Sequence, residues 1–383
     1  MIILEKPYVS DVLLKTVETL KIPVLKNEIT KKYQEEYSLE LIEDKEFIER
    51  YQEDSKLYTN SENSLEFIYN NLPMDKKIKT IHMFKNKAEF RSIIKEIYPD
   101  FYYTTISYDK LPTFDISNIK LPVILKPNQG FFSLGVYTIY TKKDWTCAIE
   151  EIKELAKKEK NPFNEEVISH SEYIIEEYIT GEEYAVDGYY NEKGNVVILN
   201  ILKHIFASKN DVSDRLYITS TDIIKTYFKP LEFILTNVNK NLKIKNFPFH
   251  FEVRIDGEKI VPIEMNPLRF AGWCTTDIAF YSYGINTYQC FFQNQKPDWE
   301  KVFAENKDVV YAMVIMDKKQ NSNQDIGEFG YGHLKDNYKQ ILKIREVDYQ
   351  IHSVYGFMFL KIQTEMEAWF QKILNENFDR FLS

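Results

Sequence analysis

The stretch 249–267 reads as two strands joined by a tight turn, and it constrains the fold more than any other part of the chain. Apolar and polar residues alternate on both sides of Asp256–Gly257, a pair typical of a two-residue hairpin turn. Pairing of the strands predicts that Glu252, Glu264 and Asn266 converge on one face. Three oxygen donors suit Mg²⁺ shared with nucleotide phosphates, because Mg²⁺ usually takes only one or two protein carboxylates. The alternative is a solvated edge of acidic side chains.

The bulk composition narrows the class of partner. The 383 residues are 44% hydrophobic and 28% charged, which indicates a globular chain of two or three domains. With 49 basic and 58 acidic residues the formal charge is -9, so small molecules are favoured over nucleic acid. Three scattered cysteines and no long apolar run predict a cytoplasmic protein without a membrane partner. A homodimer is expected because it is the commonest assembly.

Glycine is absent from the first third of the chain. The first of the twelve glycines is Gly130, yet residues 1–85 alternate short strands with helical segments, including one that Ser10 can cap. An α/β domain that binds a dinucleotide needs glycines at its first strand–helix turn, where the backbone approaches the pyrophosphate. The N-terminal α/β domain is therefore predicted to hold or shape a substrate rather than a dinucleotide.

A lysine and a glycine-containing loop follow an apolar strand near the middle of the chain. Lys126 ends that strand, and Pro127 stops its ladder before a loop that contains Gly130, Ser133 and Gly135. Backbone N–H groups and a hydroxyl in such a loop can cover phosphate oxygens while the lysine supplies charge. A solvated hairpin remains the alternative for this segment on its own.

Acidic side chains close the next apolar strand. Glu176 and Glu177 follow Tyr173–Ile175, and Glu183 comes six residues after Glu177. A strand that leaves the core here can turn backbone groups toward a purine edge, and a carboxylate a few residues on can accept from ribose hydroxyls. Acids on a solvent-facing edge are again the alternative.

Taken together, these segments resemble the ATP-grasp superfamily in order and spacing from about residue 80 to 290. The resemblance implies an α/β and α+β chain with the ATP-grasp fold and a Rossmann-like N-terminal domain. It also implies four units, which are the pre-ATP-grasp domain 1–85, a small lobe 86–180, a large lobe 181–300 and a C-terminal α+β subdomain 301–383.

The same resemblance implies ATP and Mg²⁺ as cofactors and a role for each matching residue. Lys87 in NKAEFR and Lys126 in ILKP would contact phosphates, and 130–135 would close over them. Glu252, Glu264 and Asn266 would bind the metal. The remaining implied nucleotide contacts are the adenine contact Glu176, the hinge residues Glu177, Tyr178 and Ile179, the ribose ligand Glu183, and the phosphate-side cation Lys203.

One departure from the family pattern concerns a candidate catalytic arginine. The family commonly has Asn-Pro-Arg, whereas this chain has Asn266-Pro267-Leu268-Arg269, one residue longer. The following string RFAGW is similar to the bacterial L-amino-acid ligase branch, and this likeness makes Arg269 the leading catalytic candidate beside Lys126. Arg254, two residues from Glu252, is predicted either to reach phosphate or to pair with the metal carboxylates.

The resemblance implies an ATP-dependent ligase that activates a carboxylate as an acyl phosphate and joins it to an amine, releasing ADP. Both substrates would be small molecules, and an amino acid, a dipeptide or a sugar-linked amine all stay open. Two alternatives stand beside it. One is another ATP-grasp enzyme, either a bicarbonate-activating carboxylase or a phosphotransferase, although no biotin-carrier string occurs in the sequence. The other is a nucleotide-binding module without catalysis.

Overall fold

The computed structural model describes residues 1–129, 135–157, 172–208, 213–319, 327–362 and 366–383. The sequence also predicts a helix cap at Thr364 and mobile loops at 157–162 and 321–325, and all of these residues except Lys157 lie outside the described ranges. The strands are β1 (Ile2–Ile3), β2 (Val24–Leu25), β3 (Leu41–Ile42), β4 (Tyr58–Thr59), β5 (Tyr103–Ser107), β6 (Val123–Pro127), β7 (Tyr137–Ile139), β8 (Glu172–Glu177), β9 (Glu182–Tyr190), β10 (Val196–Ile205), β11 (Leu216–Ser220), β12 (Phe247–Asp256), β13 (Lys259–Pro267), β14 (Val310–Asp317), β15 (Ile341–Glu346) and β16 (Val354–Ile362). The helices are α1 (Asp11–Leu20), α2 (Glu28–Tyr33), α3 (Asp44–Arg50), α4 (Leu65–Asn71), α5 (Lys76–Lys85), α6 (Lys87–Ile93), α7 (Lys142–Lys157), α8 (Thr221–Leu242), α9 (Ile278–Tyr283), α10 (Thr287–Gln293), α11 (Trp299–Glu305), α12 (Tyr331–Asn337) and α13 (Met366–Leu374).

The N-terminal region is a parallel sheet, as predicted. Its strand order is β3-β2-β1-β4, and every pairing within it is parallel. Helix α1 begins where the Ser10 hydroxyl accepts a hydrogen bond from the Leu13 backbone N–H at 3.2 Å. Val12, Leu13 and Val17 form its buried face. A short 3₁₀ turn, Glu62–Ser64, follows β4 at the carboxyl edge of this sheet.

The second sheet is antiparallel and small, with the strand order β5-β8-β6-β7. Helix α7 packs against it through Trp145, Ile149 and Ile152, which are buried at the spacing of one helical face. The sequence predicts this strand–loop–strand order followed by a helix from about Lys142 to Lys158, and the described part of α7 spans Lys142–Lys157.

The third sheet has eight strands in the order β13-β12-β9-β10-β11-β14-β16-β15. Helix α8 covers one face with the buried side chains Ile224, Leu231 and Leu235. The sheet continues across the boundary that the sequence suggests near residue 300, since β14 pairs with β11. The division into four units stays a prediction. Within the described residues, no helix is both long and apolar enough to cross a membrane.

The chain passes from the small sheet to the large one between β8 and β9. Gly181 lies in this crossing with φ +100°, a conformation that strongly favours glycine. A Cβ at this position would lie 2.2 Å from the carbonyl oxygen of Ile255. The crossing segment therefore packs directly on the hairpin that carries the acidic cluster.

Candidate nucleotide and metal site

The predicted hairpin is present with the predicted register. Glu252 on β12 lies opposite Glu264 on β13, and the strands are joined next to Asp256. The Asn266 amide Nδ2 donates to Glu252 Oε1 at 3.1 Å and to Glu264 Oε1 at 3.0 Å. The ladder shifts by one residue at a β-bulge between Glu252 and Val253, and this shift brings Glu252 opposite Glu264 and beside Asn266.

The two carboxyl groups at the hairpin have pKa values shifted in opposite directions. Burial and the neighbouring Glu264 carboxylate raise the pKa of Glu252 well above its ordinary value. Burial alone would also raise the pKa of Glu264, but Lys85 and Lys87 outweigh it and lower that pKa to about 2. Two carboxyl groups so close together repel each other unless a proton or a cation lies between them.

The donor set fits Mg²⁺ bound together with phosphates. It offers two carboxylates and one amide oxygen, which are the hard ligands that Mg²⁺ prefers. No group of three or more His, Cys, Asp or Glu side chains suited to a metal occurs in the described residues. Two carboxylates and one amide oxygen would leave coordination positions for phosphate oxygens and water. The metal roles of Glu252, Glu264 and Asn266 stay predictions.

The two predicted phosphate lysines lie on adjoining elements. Lys87 is the first residue of α6, which the Asn86 side chain caps by accepting from the Glu89 N–H at 3.0 Å. The Lys87 backbone N–H donates to the Asn128 carbonyl at 3.0 Å, which fixes the start of α6 beside the end of β6 and Lys126. Burial lowers the pKa of Lys87 to about 8.

Glu176 is paired with two cations in this structure. Its Oε2 accepts from Arg91 Nε at 2.8 Å, and its Oε1 lies 2.6 Å from Lys126 Nζ. Burial alone would raise the pKa of Glu176, but Arg91 and Lys126 lower it to about 2. The carboxylate thus holds Lys126 in place, while contact of Glu176 with an adenine amino group stays a prediction.

Arg91 is a site residue that the sequence reasoning missed. It lies one helical turn after Lys87 on α6, and its Nη1 donates to the Pro262 carbonyl on β13 at 2.5 Å. Arg91 therefore ties the small sheet, through Glu176, to the hairpin. The sequence signal that could have identified Arg91 is its spacing of four residues from Lys87 in NKAEFR, which puts both side chains on one face of a helix.

Substituting Glu176 by glutamine is expected to destabilise the fold in a pH-dependent way. The folded pKa of about 2 lies below the ordinary value of 4.5, so the ion pairs stabilise the fold above about pH 4.5 and are lost as the pH falls toward 2. The shift corresponds to about 3 kcal/mol at neutral pH. Urea unfolding of both proteins should show a loss of this size for Glu176→Gln at pH 7 and a smaller loss at pH 3.5.

Glu150→Gln is the matched control for that experiment, because Glu150 lies exposed on α7, the helix that packs against the same small sheet. We expect its unfolding free energy to stay within about 0.5 kcal/mol of the parent protein. Equal losses in the two variants at pH 7 would contradict a stabilising role for the Glu176 ion pairs.

The predicted hinge, Glu177, Tyr178 and Ile179, forms the passage from β8 toward β9. The Glu177 backbone N–H donates to the Tyr102 carbonyl at 3.0 Å, and the Tyr178 N–H donates to the Pro122 carbonyl at 3.2 Å. These bonds fix the hinge backbone against the small sheet. Their direct role with adenine stays a prediction.

Arg254 lies between the hinge and the predicted ribose ligand. Its Nη2 is 3.2 Å from Glu183 Oε2, and its Nη1 donates to the Ile179 carbonyl at 3.3 Å. The second partner of Glu183 is the His204 Nδ1 at 3.2 Å. Burial alone would raise the pKa of Glu183, but His204 and Arg254 lower it. Among the described residues, Arg254 pairs with Glu183 and not with Glu252 or Glu264, and its contact with phosphate stays a prediction.

Lys203 and His204 point to opposite faces of β10. Lys203 Nζ lies 2.6 Å from Glu182 Oε1 and near the Tyr184 ring, whereas buried His204 contacts Glu183. The structure thus brings His204, not Lys203, to the side of the candidate site. Strand alternation predicts that Lys203 and His204 point to opposite faces of β10. Which of the two faces the site depends on the register of β10 with β9, which the sequence does not give.

Two of the predicted loop residues, Gly130 and Ser133, lie outside the described residues. Gly135 is described and has φ +74°, with the Pro127 ring as its nearest neighbour. The proposed phosphate contacts of all three stay predictions.

Arg269 lies beside the hairpin and contacts the N-terminal sheet. Its Nη2 donates to Glu62 Oε1 at 2.8 Å, and Glu62 Oε2 also accepts from Lys85 Nζ at 2.7 Å. Lys85 Nζ is in turn 3.5 Å from Asn266 Oδ1. The additional residue Leu268 is buried and has φ +61°, so the lengthened motif is accommodated by one left-handed residue.

Residues 119–277 match the family model of the ATP-grasp domain. The predicted resemblance and fold class are thereby confirmed: this part of the chain is an ATP-grasp domain, and the chain as a whole has the fold of solved ATP-grasp structures. No curated protein matches the sequence.

Solved structures with the same fold have different activities. L-amino acid ligase from Bacillus licheniformis superposes with a TM-score of 0.67 at 18% identity, covering 100% of this chain and 97% of its own. N5-carboxyaminoimidazole synthase from Aspergillus clavatus, solved with ADP and its aminoimidazole ribonucleotide, gives 0.66 at 11% identity, with 97% and 96% covered. The biotin carboxylase domain of 2-oxoglutarate carboxylase from Hydrogenobacter thermophilus, solved with MgADP and bicarbonate, gives 0.61 at 11%, with 94% and 86% covered. At these identities the likeness establishes the fold alone.

Proposed function

We propose that the protein is an ADP-forming ligase that joins a carboxylate to an amine, using ATP and Mg²⁺. The observation that carries this proposal is the position of Arg269 beside the Glu252, Glu264 and Asn266 cluster, linked through Glu62 and Lys85. The proposed cytoplasmic location, the homodimer and the identity of both small-molecule substrates stay predictions.

The proposed reaction has two steps. The substrate carboxylate takes the γ-phosphoryl group of ATP, which releases ADP and leaves an acyl phosphate. The amine nitrogen then attacks the acyl carbon, phosphate leaves, and the amine loses a proton. Phosphoryl transfer needs mainly positioning and charge neutralisation, so no side-chain nucleophile is required.

The chain's own residues supply most of that positioning. Lys126, held by Glu176, and Lys87 would neutralise phosphate oxygens. Mg²⁺, when bound at the two carboxylates and Asn266, supplies further charge neutralisation at the transferred group. The planar Arg269 guanidinium matches a carboxylate or acyl phosphate in two-point geometry, and Glu62 holds it close enough to interact with the Glu252 and Glu264 carboxylates.

A screen of ADP release tests this proposal. We expect ADP release from MgATP to require a carboxylate and an amine together, with mass spectrometry detecting the amide in pooled amino acid mixtures. A reaction supported by bicarbonate alone would favour the second candidate, a bicarbonate-activating enzyme, which the similarity to the biotin carboxylase domain keeps in view. Tight MgATP binding without turnover in every mixture would contradict both.

A further inference from the structure

Three buried side chains form a row across the sheet beside the metal hairpin. His250 on β12 lies opposite Asp187 on β9 and opposite Asn266 on β13. Their exposed fractions are 8%, 0% and 1%. Cross-strand neighbours project to the same face of a sheet, and His250 is two residues before Glu252 on one strand. The row therefore borders the predicted metal ligands directly.

Asp187 connects this row to the loop that carries the candidate catalytic arginine. Its Oδ1 accepts from His250 Nδ1 at 2.8 Å and from the backbone N–H of Ala271 at 2.9 Å. Ala271 follows Arg269 by two residues. On the other side of the imidazole, His250 Nε2 lies 3.6 Å from Glu252 Oε1. Asp187 Oδ1 thus holds two groups at once: the His250 imidazole, which lies next to Glu252, and the Ala271 backbone, which follows Arg269.

We infer that Asp187 and His250 are positioning residues that fix Glu252 and the Arg269 loop relative to each other. This inference rests on the proposed function, because it gives the pair a role in metal–nucleotide binding. Asp187 lies at the centre of the sheet, where a charged oxygen shared by two donors is costly to leave unmatched. Its second oxygen accepts no hydrogen bond from the described residues. The hydrogen bonds from His250 and the Ala271 N–H, and not packing alone, explain why a carboxylate occupies this buried position.

Some residues orient metal ligands without contacting the metal themselves. Replacing such a residue typically lowers metal affinity or activity about 10- to 100-fold. Asp187→Asn keeps the size of the side chain and removes the charge that holds His250 and the Ala271 N–H. We expect the Kd for Mn²⁺ in the presence of ADP, measured by electron paramagnetic resonance, to rise about 10-fold or more. Circular dichroism and urea unfolding would establish that the variant is folded. An unchanged Mn²⁺ affinity in folded Asp187→Asn would overturn the inference.

His250→Gln provides a second variant, and it decides the question if Asp187→Asn does not fold. We expect a similar loss of Mn²⁺ affinity in His250→Gln. The double variant should bind Mn²⁺ about as weakly as the weaker single variant, because residues in one network do not act additively. Fully additive losses would overturn the shared network.

Asp317→Asn is the matched control, with the same substitution at an ion pair on another part of the large sheet. Asp317 pairs with Arg215 at 2.5 Å. We expect Asp317→Asn to bind Mn²⁺ as tightly as the parent protein, even if it is less stable. A loss of Mn²⁺ affinity equal to that of Asp187→Asn would show that general destabilisation causes the Asp187 effect, and it would overturn the inference. Absence of Mn²⁺–ADP binding in the parent protein would instead overturn the proposed function.

Discussion

Glu264→Gln is expected to reduce ATP turnover by about 10³-fold or more, because the substitution removes a charged metal ligand from the centre of the candidate site. The Glu264 carboxylate lies opposite Glu252 and is kept ionised by Lys85 and Lys87, which lower its pKa to about 2. A neutral amide at this position removes the negative charge that faces Lys87, whereas Lys85 keeps its ion pair with Glu62. ADP release from MgATP, measured with the substrates that the screen identifies, is the decisive quantity.

Glu258→Gln is the control for this substitution, because Glu258 is exposed at the turn of the same hairpin. We expect it to keep the turnover of the parent protein. Near-normal ADP release by folded Glu264→Gln would count against the metal assignment. Equal losses in both variants would indicate that the hairpin had been disturbed as a whole.

Arg269→Ala is expected to lower kcat about 10²- to 10³-fold while MgADP affinity changes little. Loss of a charge-assisted contact that forms in the transition state typically costs about 2 to 4 kcal/mol. The guanidinium is anchored by Glu62 on the N-terminal side and not by the predicted adenine or ribose contacts, so nucleotide binding should persist. Steady-state kinetics combined with calorimetry of MgADP binding separates the two effects.

Arg50→Ala serves as the control, since Arg50 forms exposed ion pairs with Glu40 and Glu46 on the N-terminal domain. It should leave both kcat and MgADP affinity unchanged. A large rise in the MgADP Kd for Arg269→Ala, with kcat preserved, would indicate that Arg269 contacts the nucleotide and not the reacting carboxylate.

The two strands of the acidic hairpin and its turn could be predicted from the sequence because their determinants are local. The turn at Asp256–Gly257 alone would put Glu252 opposite Ile263, and a β-bulge between Glu252 and Val253, which the sequence does not indicate, shifts the register so that Glu252 lies opposite Glu264. The same reasoning applied to α1 and α7, whose caps or apolar faces lie within one helix. Elements defined by neighbouring residues were therefore predicted well.

Partners that come from distant segments could not be predicted. Glu62 and Arg269 are 207 residues apart, and no pattern in either segment indicates that they form an ion pair. The resemblance assigns Glu176 to adenine, and no pattern in the sequence indicates its ion pairs with Arg91 and Lys126, because α6 and β6 become neighbours of β8 only in the folded protein. The choice between Lys203 and His204 likewise depends on how β10 aligns with its neighbour.

The eight-stranded sheet has a practical consequence for anyone who dissects this chain. The ATP-grasp match ends at residue 277, yet β14, β16 and β15 continue the same ladder from β11. A fragment truncated there would expose the backbone N–H and C=O groups of β11 along an open, apolar edge, a template for self-association. The matched region thus omits three strands of the large sheet, and recombinant pieces should retain these strands through Ile362.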